Sequence, residues 1–144
     1  MVRRATIDDL DAIAELMKDA HAKSENYKDL PYNEFRTRIV LEAFMTKPKV
    51  LFLVTDNVDG MLIGEVTPSW FHNGLTAITH MAYAREGANG LQLLREFLKW
   101  ARSWDAVRKI QVSTSFSGER GERAERLIER LGLSPVGKQF VEKR

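Results

Sequence analysis

The chain has 144 residues, which suits one domain of ordinary size, so we expect a single domain over residues 1–144. Hydrophobic residues make up 44% of the chain and charged residues 29%, a composition that predicts a packed core and excludes intrinsic disorder. The net charge of +2 is too small to indicate a nucleic-acid partner, and the absence of cysteine excludes disulfides, thiol nucleophiles and zinc–thiolate sites.

The N-terminal residues contain no apolar segment of the kind that a secretory signal needs. Residues 1–6 lead directly into a polar, amphipathic stretch. No apolar run approaches the roughly 18 residues that span a bilayer. These observations predict a cytoplasmic protein with no membrane partner.

Two helices are predicted next. Apolar residues recur every three or four positions over residues 7–22, and Thr6 and Asp9 have the spacing of a capping box. After a polar loop at 23–31, a second helix is expected to end before Pro48. Its apolar residues form a stripe and a flank that widens the stripe, namely Phe35, Ile39 and Ala43, then Leu41, Phe44 and Met45.

Strands dominate the following segment. The continuous apolar run at 50–54 predicts a strand that is buried on both faces. Residues 61–71 and 75–83 predict two further strands, with turns that contain Asn and Gly between them. A short strand at 2–5 would precede all of these.

The second half of the chain alternates helices and strands. A helix with a broad apolar face follows a loop at 84–89, and its Trp100 and Trp104 are interpreted as packing residues or a dimer surface. The remaining predicted elements are a strand over 109–116, a last helix capped by Ser117 and ended by Gly132, and a final strand over 135–142. Because strand–helix–strand order implies a parallel crossover, the expected fold class is α/β, with one mixed (α+β) sheet.

The segment from Tyr83 to Leu94 carries the strongest functional signal. It joins a strand to the N-terminus of the clearest helix, where unpaired N–H groups and the helix dipole favour an anion. Gly87 and Gly90 would let a phosphate approach the main chain closely, and Arg85 adds positive charge. The junction predicts a phosphate-binding turn, although an isolated turn of this kind is more often only a tight connection.

This turn resembles the pyrophosphate loop of the GNAT acyltransferase superfamily, which reads Gln/Arg-x-x-Gly-x-Gly/Ala between a strand and a helix. Arg85 stands at its first position, Ala88 at its first glycine and Gly90 at its second. Leu93 and Leu94 match the apolar pair that follows, and the order of elements matches along nearly the whole chain. The resemblance implies a GNAT-like fold, with a central mixed sheet flanked by helices, and acetyl-CoA as co-substrate.

The resemblance also implies roles for residues. In the family's direct-attack mechanism, a base deprotonates the acceptor ammonium, and a backbone N–H of the strand before the loop stabilises the oxyanion. The implied cofactor-binding residues are Met81, Ala82, Tyr83, Arg85, Gly87, Ala88, Asn89, Gly90 and Leu91. The candidate catalytic residues are Glu65, His80 and Tyr83.

Two positions depart from the family pattern. Ala88 replaces a glycine, which is tolerable if its φ is negative and costly if its φ is positive. Residues 124–133 resemble the family's Ala-x-x-Phe-Tyr-x-x-x-Gly-Phe segment, but Ile128 stands where many members have a tyrosine that protonates the departing thiolate. Either another group donates that proton, or the thiolate leaves unassisted, or the domain binds without catalysing.

Each candidate also has a structural interpretation. A histidine is the usual base at neutral pH, but a lone strand histidine such as His80 is more often structural. Glu65 fits a solvated strand carboxylate, and Tyr83 fits a core or rim aromatic. Ser115 and Ser117 would be able to donate to the thiolate or to pantetheine, but strand-end and capping roles are commoner.

Other charged or ligating residues predict no further site. The three histidines have no ligand spacing and no acidic cluster beside them, so no metal is expected. Arg120, Arg123, Arg126 and Arg130 alternate with glutamates and are interpreted as a solvated face with weak ion pairs.

The leading hypothesis is an N-acetyltransferase that moves an acetyl group from acetyl-CoA to a primary amine of a small molecule or protein. The alternative is a catalytically silent module of the same fold that binds CoA or another protein. A homodimer is left open. The acceptor pocket is expected between the first two helices and the strand ends, with Asn26, Tyr27, Tyr32 and Trp70 as candidate linings.

Overall fold

The structure, a computed structural model, describes residues 1–115 and 118–144. Its five strands form one sheet in chain order: β1 (Val2–Arg4), β2 (Val50–Thr55), β3 (Gly60–Pro68), β4 (Leu75–Ala84) and β5 (Val107–Gln111). Neighbouring strands are antiparallel except β4 and β5, which are parallel and joined by a helix. The predicted mixed sheet is therefore confirmed.

Four α-helices cover the two faces of the sheet. They are α1 (Leu10–Lys23, preceded by a 3₁₀ turn at Ile7–Asp9), α2 (Glu34–Thr46), α3 (Gly90–Arg102) and α4 (Gly118–Arg130). Apolar residues of α1 and α2 pack on one face, and those of α3 and α4 pack on the other. Because both faces are covered, every residue of β2 after Val50 is buried, as its apolar run predicts. Within the described ranges, no helix is long and apolar enough to cross a bilayer.

The C-terminal part of the chain differs from the sequence prediction. Residues 135–142 form no strand, and the strand expected over 109–116 is shorter than predicted because β5 ends at Gln111. The tail is held instead by side chains, since Asn26 Nδ2 donates to Gln139 Oε1 at 3.0 Å and Lys143 Nζ donates to Asp29 at 2.9 Å. Phe116 and the predicted cap Ser117 lie outside the described residues.

Helix α2 also presents a different face from the predicted one. The stripe of Phe35, Ile39 and Ala43 is exposed, with Phe35 at 76% of its full accessibility, whereas Leu41 is buried and packs with the α1 cluster. A helical period allows either of two adjacent apolar stripes to face the sheet. The sequence pattern alone does not choose between them.

Candidate functional site

The parallel strands β4 and β5 separate partway along their length. Their backbone pairing runs from Leu75 to Ile78 and stops opposite Gln111. The next link is made by a side chain, because Ser113 N–H donates to Thr79 Oγ1 at 3.2 Å. Beyond Thr79 the two chain segments diverge, which leaves the β5-facing edge of β4 without a strand partner.

A cavity of about 650 Å³ occupies the wedge between the separating strands. Its walls are the C-terminal half of β4, residues 112–114, the loop before α3, and the inner sides of α3 and α4. Its volume falls within the range of about 300–1,000 Å³ that small-molecule sites occupy. Of the residues predicted to bind a cofactor, six line the cavity: Ala82, Tyr83, Arg85, Ala88, Gly90 and Leu91. Among the described lining residues, Met81, Gly87 and Asn89 do not appear.

The loop before α3 has the backbone geometry of a tight turn. Gly87 has φ +84°, a conformation that favours glycine, and its missing Cβ faces open space. Ala88 is not among the described residues with positive φ, so the alanine fits this position without backbone strain. Asn89 caps α3, because its side chain accepts a hydrogen bond from Gln92 N–H at 3.0 Å.

Several amides at this helix start have no protein acceptor. Ala88 N–H donates to Arg85 O and Gly90 N–H donates to Ala88 O, each at 3.0 Å. Within residues 1–115 and 118–144, the N–H groups of Gly87, Asn89 and Leu91 make no hydrogen bond. Unpaired amides at a helix N-terminus attract an anion through both hydrogen bonding and the helix dipole.

The free edge of β4 presents peptide groups to the cavity. Ala84 O accepts a hydrogen bond from Arg120 Nη2 at 2.7 Å, so this carbonyl points away from β3 and toward α4. Peptide groups alternate sides along a strand, and Ala82 therefore presents its N–H and C=O on the same side as Ala84. The cavity thus has both a donor and acceptors along one wall.

Tyr83 joins this wall to helix α1. Its side chain is buried, its hydroxyl donates to Asp19 Oδ2 at 2.5 Å, and Lys23 Nζ donates to that hydroxyl at 3.2 Å. Burial and the neighbouring carboxylate raise the pKa of Tyr83 above its ordinary value. The hydrogen bond from Tyr83 and the nearby cations lower the pKa of Asp19, to which Arg85 Nε also donates at 3.3 Å. Tyr83 therefore keeps its proton at neutral pH, directed at Asp19 rather than into the cavity.

Glu65 and His80 form a pair on the opposite face of the sheet, where α2 packs. His80 Nε2 lies 2.9 Å from Glu65 Oε1, and Lys47 Nζ lies 2.5 Å from Glu65 Oε2. Although burial acts to raise the pKa of Glu65, hydrogen bonds from Lys47 and His80 lower it overall. Glu65 is only 7% exposed, so its interpretation as a solvated carboxylate is wrong.

His80 occupies a β-bulge. Ile63 pairs with Met81 and the next residue, Gly64, pairs with Thr79, so His80 is the extra residue of β4. Its ring packs on Phe44 of α2, with 4.9 Å between ring centroids. Neither His80 nor Glu65 is among the described residues that line the cavity, which ends on the other face of the same strand.

The sequence interpretation missed the part that α4 plays in the cavity. Arg120 was grouped with a solvated face, yet it is half-buried, lines the cavity and lies 5.0 Å from the centroid of the Tyr83 ring. Arg123 and Arg126 do match the predicted pattern, because they pair with Glu119 at 2.7 Å and Glu122 at 4.0 Å. Period and charge cannot single out the first arginine, since the difference depends on where the helix meets β4.

The predicted acceptor-pocket residues do not converge on the cavity. Among the described lining residues, Asn26, Tyr27, Tyr32 and Trp70 do not appear. Trp70 is 94% exposed at the turn between β3 and β4. Ser115 lies outside the described lining as well and accepts a hydrogen bond from Ser24 Oγ at 3.0 Å. In the described ranges, no three His, Asp or Glu side chains cluster in a way that would hold a metal ion.

Solved structures that share this fold include several acetyltransferases. A provisionally assigned acetyltransferase of Agrobacterium tumefaciens superposes with a TM-score of 0.74 at 16% identity, over 100% of this chain and 99% of its own. The 6′-N-acetyltransferase AAC(6′)-IG of Acinetobacter haemolyticus, which acts on aminoglycoside antibiotics, gives 0.69 at 13% identity, over 100% and 97%. A transcriptional regulator of Bacillus halodurans gives 0.74 at 19% identity, over 100% and 99%.

These likenesses concern the fold, because the identities are low. Neither a protein-family model nor a curated protein sequence matches the chain. The GNAT-like fold that the sequence predicts is confirmed by the acetyltransferase structures.

Proposed function

We propose that the protein transfers an acetyl group from acetyl-CoA to a primary amine. One observation carries the proposal: a cavity with unpaired amides at its mouth and an unpaired strand edge along its wall. A ligand that fits must combine an anion with an extended arm that contains amides. Acetyl-CoA has this chemistry, and the acetyltransferase fold supports the choice.

The proposed binding mode follows the polar groups of the cavity. The N–H groups of Gly87, Asn89 and Leu91 bind the diphosphate at the N-terminus of α3. The pantetheine arm then lies along β4, where the peptide groups of Ala82 and Ala84 take the place of the missing strand partner. The thioester reaches the closed end of the wedge, near Thr79 and Ser113.

The proposed chemistry is direct attack by the amine. His80 accepts a proton from the acceptor ammonium, directly or through water, and Glu65 orients the imidazole. The neutral amine attacks the thioester carbonyl, and Ala82 N–H donates to the oxygen that becomes negative. Collapse of the tetrahedral intermediate breaks the C–S bond, forms the amide and releases the CoA thiolate.

The departing thiolate meets a largely apolar wall. Ile128 lines the cavity and has no proton to donate, whereas Ser113 and Thr114 line it with hydroxyl groups. A free thiol has a pKa of about 8.5, so a thiolate is a tolerable leaving group near that pH. The proposal therefore needs no tyrosine at position 128, and Ser113 and Thr114 are the proposed hydrogen-bond donors.

Release of CoA thiol in the presence of amines tests the proposal. The assay follows thiol formation from acetyl-CoA with a panel of primary amines and a peptide that has a free N-terminus, with amine-free buffer as the control. We expect amine-dependent turnover with at least one member of the panel. Binding of acetyl-CoA without any amine-dependent release contradicts catalysis.

That second outcome would support a different function, namely a CoA-binding module without turnover. The observation that favours it is Ile128, an apolar residue lining the cavity where a proton donor is expected. In that case acetyl-CoA raises the midpoint of thermal unfolding, because it binds only the folded state, but no amine accelerates its consumption.

A further inference from the structure

Arg120 reaches across the mouth of the cavity from α4 to β4. Its Nη2 donates to Ala84 O at 2.7 Å, and its guanidinium carbon lies 5.0 Å from the centroid of the Tyr83 ring. Ala84 directly precedes Arg85, the first residue of the loop whose amides are unpaired. The guanidinium therefore lies beside the proposed phosphate site.

The other arginines near the cavity have carboxylate partners. Arg85 Nε lies 3.3 Å from Asp19 of α1, and Arg123 Nη2 lies 2.7 Å from Glu119 on its own helix. Arg120 instead donates to a neutral carbonyl, on the strand edge that a bound pantetheine arm would pair with. A ligand amide that bonds to Ala84 O would take over this acceptor without leaving it unsatisfied.

We propose that Arg120 is a phosphate ligand and makes the cavity selective for phosphorylated pantetheine thiols. This inference rests on the proposed function. In the structure without ligand the guanidinium bonds to Ala84 O. When the pantetheine arm binds along β4, the guanidinium turns to the phosphate attached to that arm, while the loop amides bind the same diphosphate from α3. A guanidinium suits this role because its planar set of donors matches phosphate oxygens.

Calorimetric titration with three ligands tests the assignment. CoA and 4′-phosphopantetheine both carry the phosphate on the arm, whereas pantetheine has the same arm without it. We expect Arg120→Gln to raise the Kd for CoA and for 4′-phosphopantetheine about tenfold, the loss of one charge-assisted hydrogen bond. The Kd for pantetheine stays within about twofold of the wild-type value, since no phosphate contact exists to lose.

Two further variants control the experiment. Arg126→Gln removes the same charge from the same helix at a residue that pairs with Glu122 outside the described cavity lining, and it leaves all three Kd values unchanged. Arg120→Lys keeps the charge, so its Kd for CoA lies between those of the wild type and Arg120→Gln. Circular dichroism of each variant shows whether a lost contact or a lost fold lowers the affinity.

The results separate this inference from the proposed function. If the wild type binds CoA and Arg120→Gln binds it equally well, the assignment of Arg120 is wrong and the proposed function stands. If Arg120→Gln weakens pantetheine as much as CoA, or Arg120→Lys is no better than Arg120→Gln, the phosphate contact is also refuted. A wild type that binds neither CoA nor 4′-phosphopantetheine removes both proposals.

Discussion

His80 shows how a single inserted residue can aim a side chain. Because it is the extra residue of a β-bulge, β4 departs from regular alternation where its ring pairs with Glu65 at 2.9 Å. Bulges of this kind occur often next to active sites. A sequence shows a histidine in a strand, but the bulge depends on how β4 pairs with β3 and is not visible in the spacing of apolar residues.

If His80 is the base, His80→Gln lowers kcat/KM for amine acetylation by about 100-fold or more, the usual contribution of a general base. The Kd for acetyl-CoA remains unchanged, because His80 is not among the described residues of the cavity lining. Steady-state kinetics and calorimetry check the two parts. His72→Gln is the matched control, since His72 lies exposed in the turn after β3, and it retains wild-type kinetics. Equal activities of the two variants would exclude His80 as the base.

A second residue-scale prediction concerns acid stability. Two hydrogen bonds from Arg3, at 2.7 and 2.8 Å, lower the pKa of the poorly exposed Asp9 from 3.8 to about 2. A carboxylate with a lowered pKa stabilises the fold above its unfolded-state pKa of 3.8, and this stabilisation is lost as the pH falls from about 4 to about 2.

Asp9→Asn should therefore lower the free energy of unfolding by about 1–2 kcal/mol at pH 7, measured by urea denaturation. The deficit relative to the wild type should shrink between pH 4 and pH 2. Asp8→Asn, at an exposed neighbour, is the control and should cost less than about 0.5 kcal/mol. A deficit for Asp9→Asn that persists unchanged at pH 2 would show that the ion pair is not its cause.

At the scale of elements, the loop between β4 and α3 is the feature that sequence reasoning locates best. Its turn residues, the asparagine cap and the strong amphipathic pattern of α3 are all local, so they can be recognised without knowing the rest of the fold. The requirement for glycine is less local. It falls on Gly87, with φ +84°, rather than on Ala88, where the family pattern places a glycine.

Gly87→Ala tests this loop. A side chain at positive φ costs about 1–2 kcal/mol, so the variant should bind CoA several-fold more weakly, as the loop relaxes away from the binding conformation. Gly137→Ala is the matched control, because Gly137 has no positive φ and an added Cβ there meets no atom within 4 Å. Calorimetry with CoA should show wild-type affinity for Gly137→Ala. The same affinity for Gly87→Ala would mean that the loop does not bind the ligand.

Elements at the C-terminus illustrate the opposite case. The predicted strand over 135–142 does not form, although its composition suits a strand, because strand formation depends on a partner edge rather than on local pattern. The same limit applies to β5, which stops at Gln111 where its partner β4 diverges. Helix boundaries were easier to predict, since Pro48 and the left-handed Gly132, with φ +96°, end helices by local chemistry.

For the whole molecule, the order of elements was sufficient to predict the mixed sheet, whereas the cavity arises from contacts between distant parts of the chain. Thr79 and Ser113 are 34 positions apart, and Arg120 lies 36 positions from the carbonyl it contacts. No periodicity in the sequence reports such contacts. The phosphate-binding loop could be proposed from sequence, while Asp19, Thr79 and Arg120 required the three-dimensional arrangement.

The central claim is that the unpaired amides before α3 and the free edge of β4 bind CoA together. Titration of isotopically labelled protein with CoA, followed through its backbone amide resonances, tests this most directly. We expect the largest shifts at Gly87, Asn89, Leu91 and Ala82, all saturating with one Kd, while the amides of the exposed turn at 69–74 stay unchanged. Resonances of the loop and strand edge that do not respond at millimolar CoA, or respond less than those of that turn, would contradict the account.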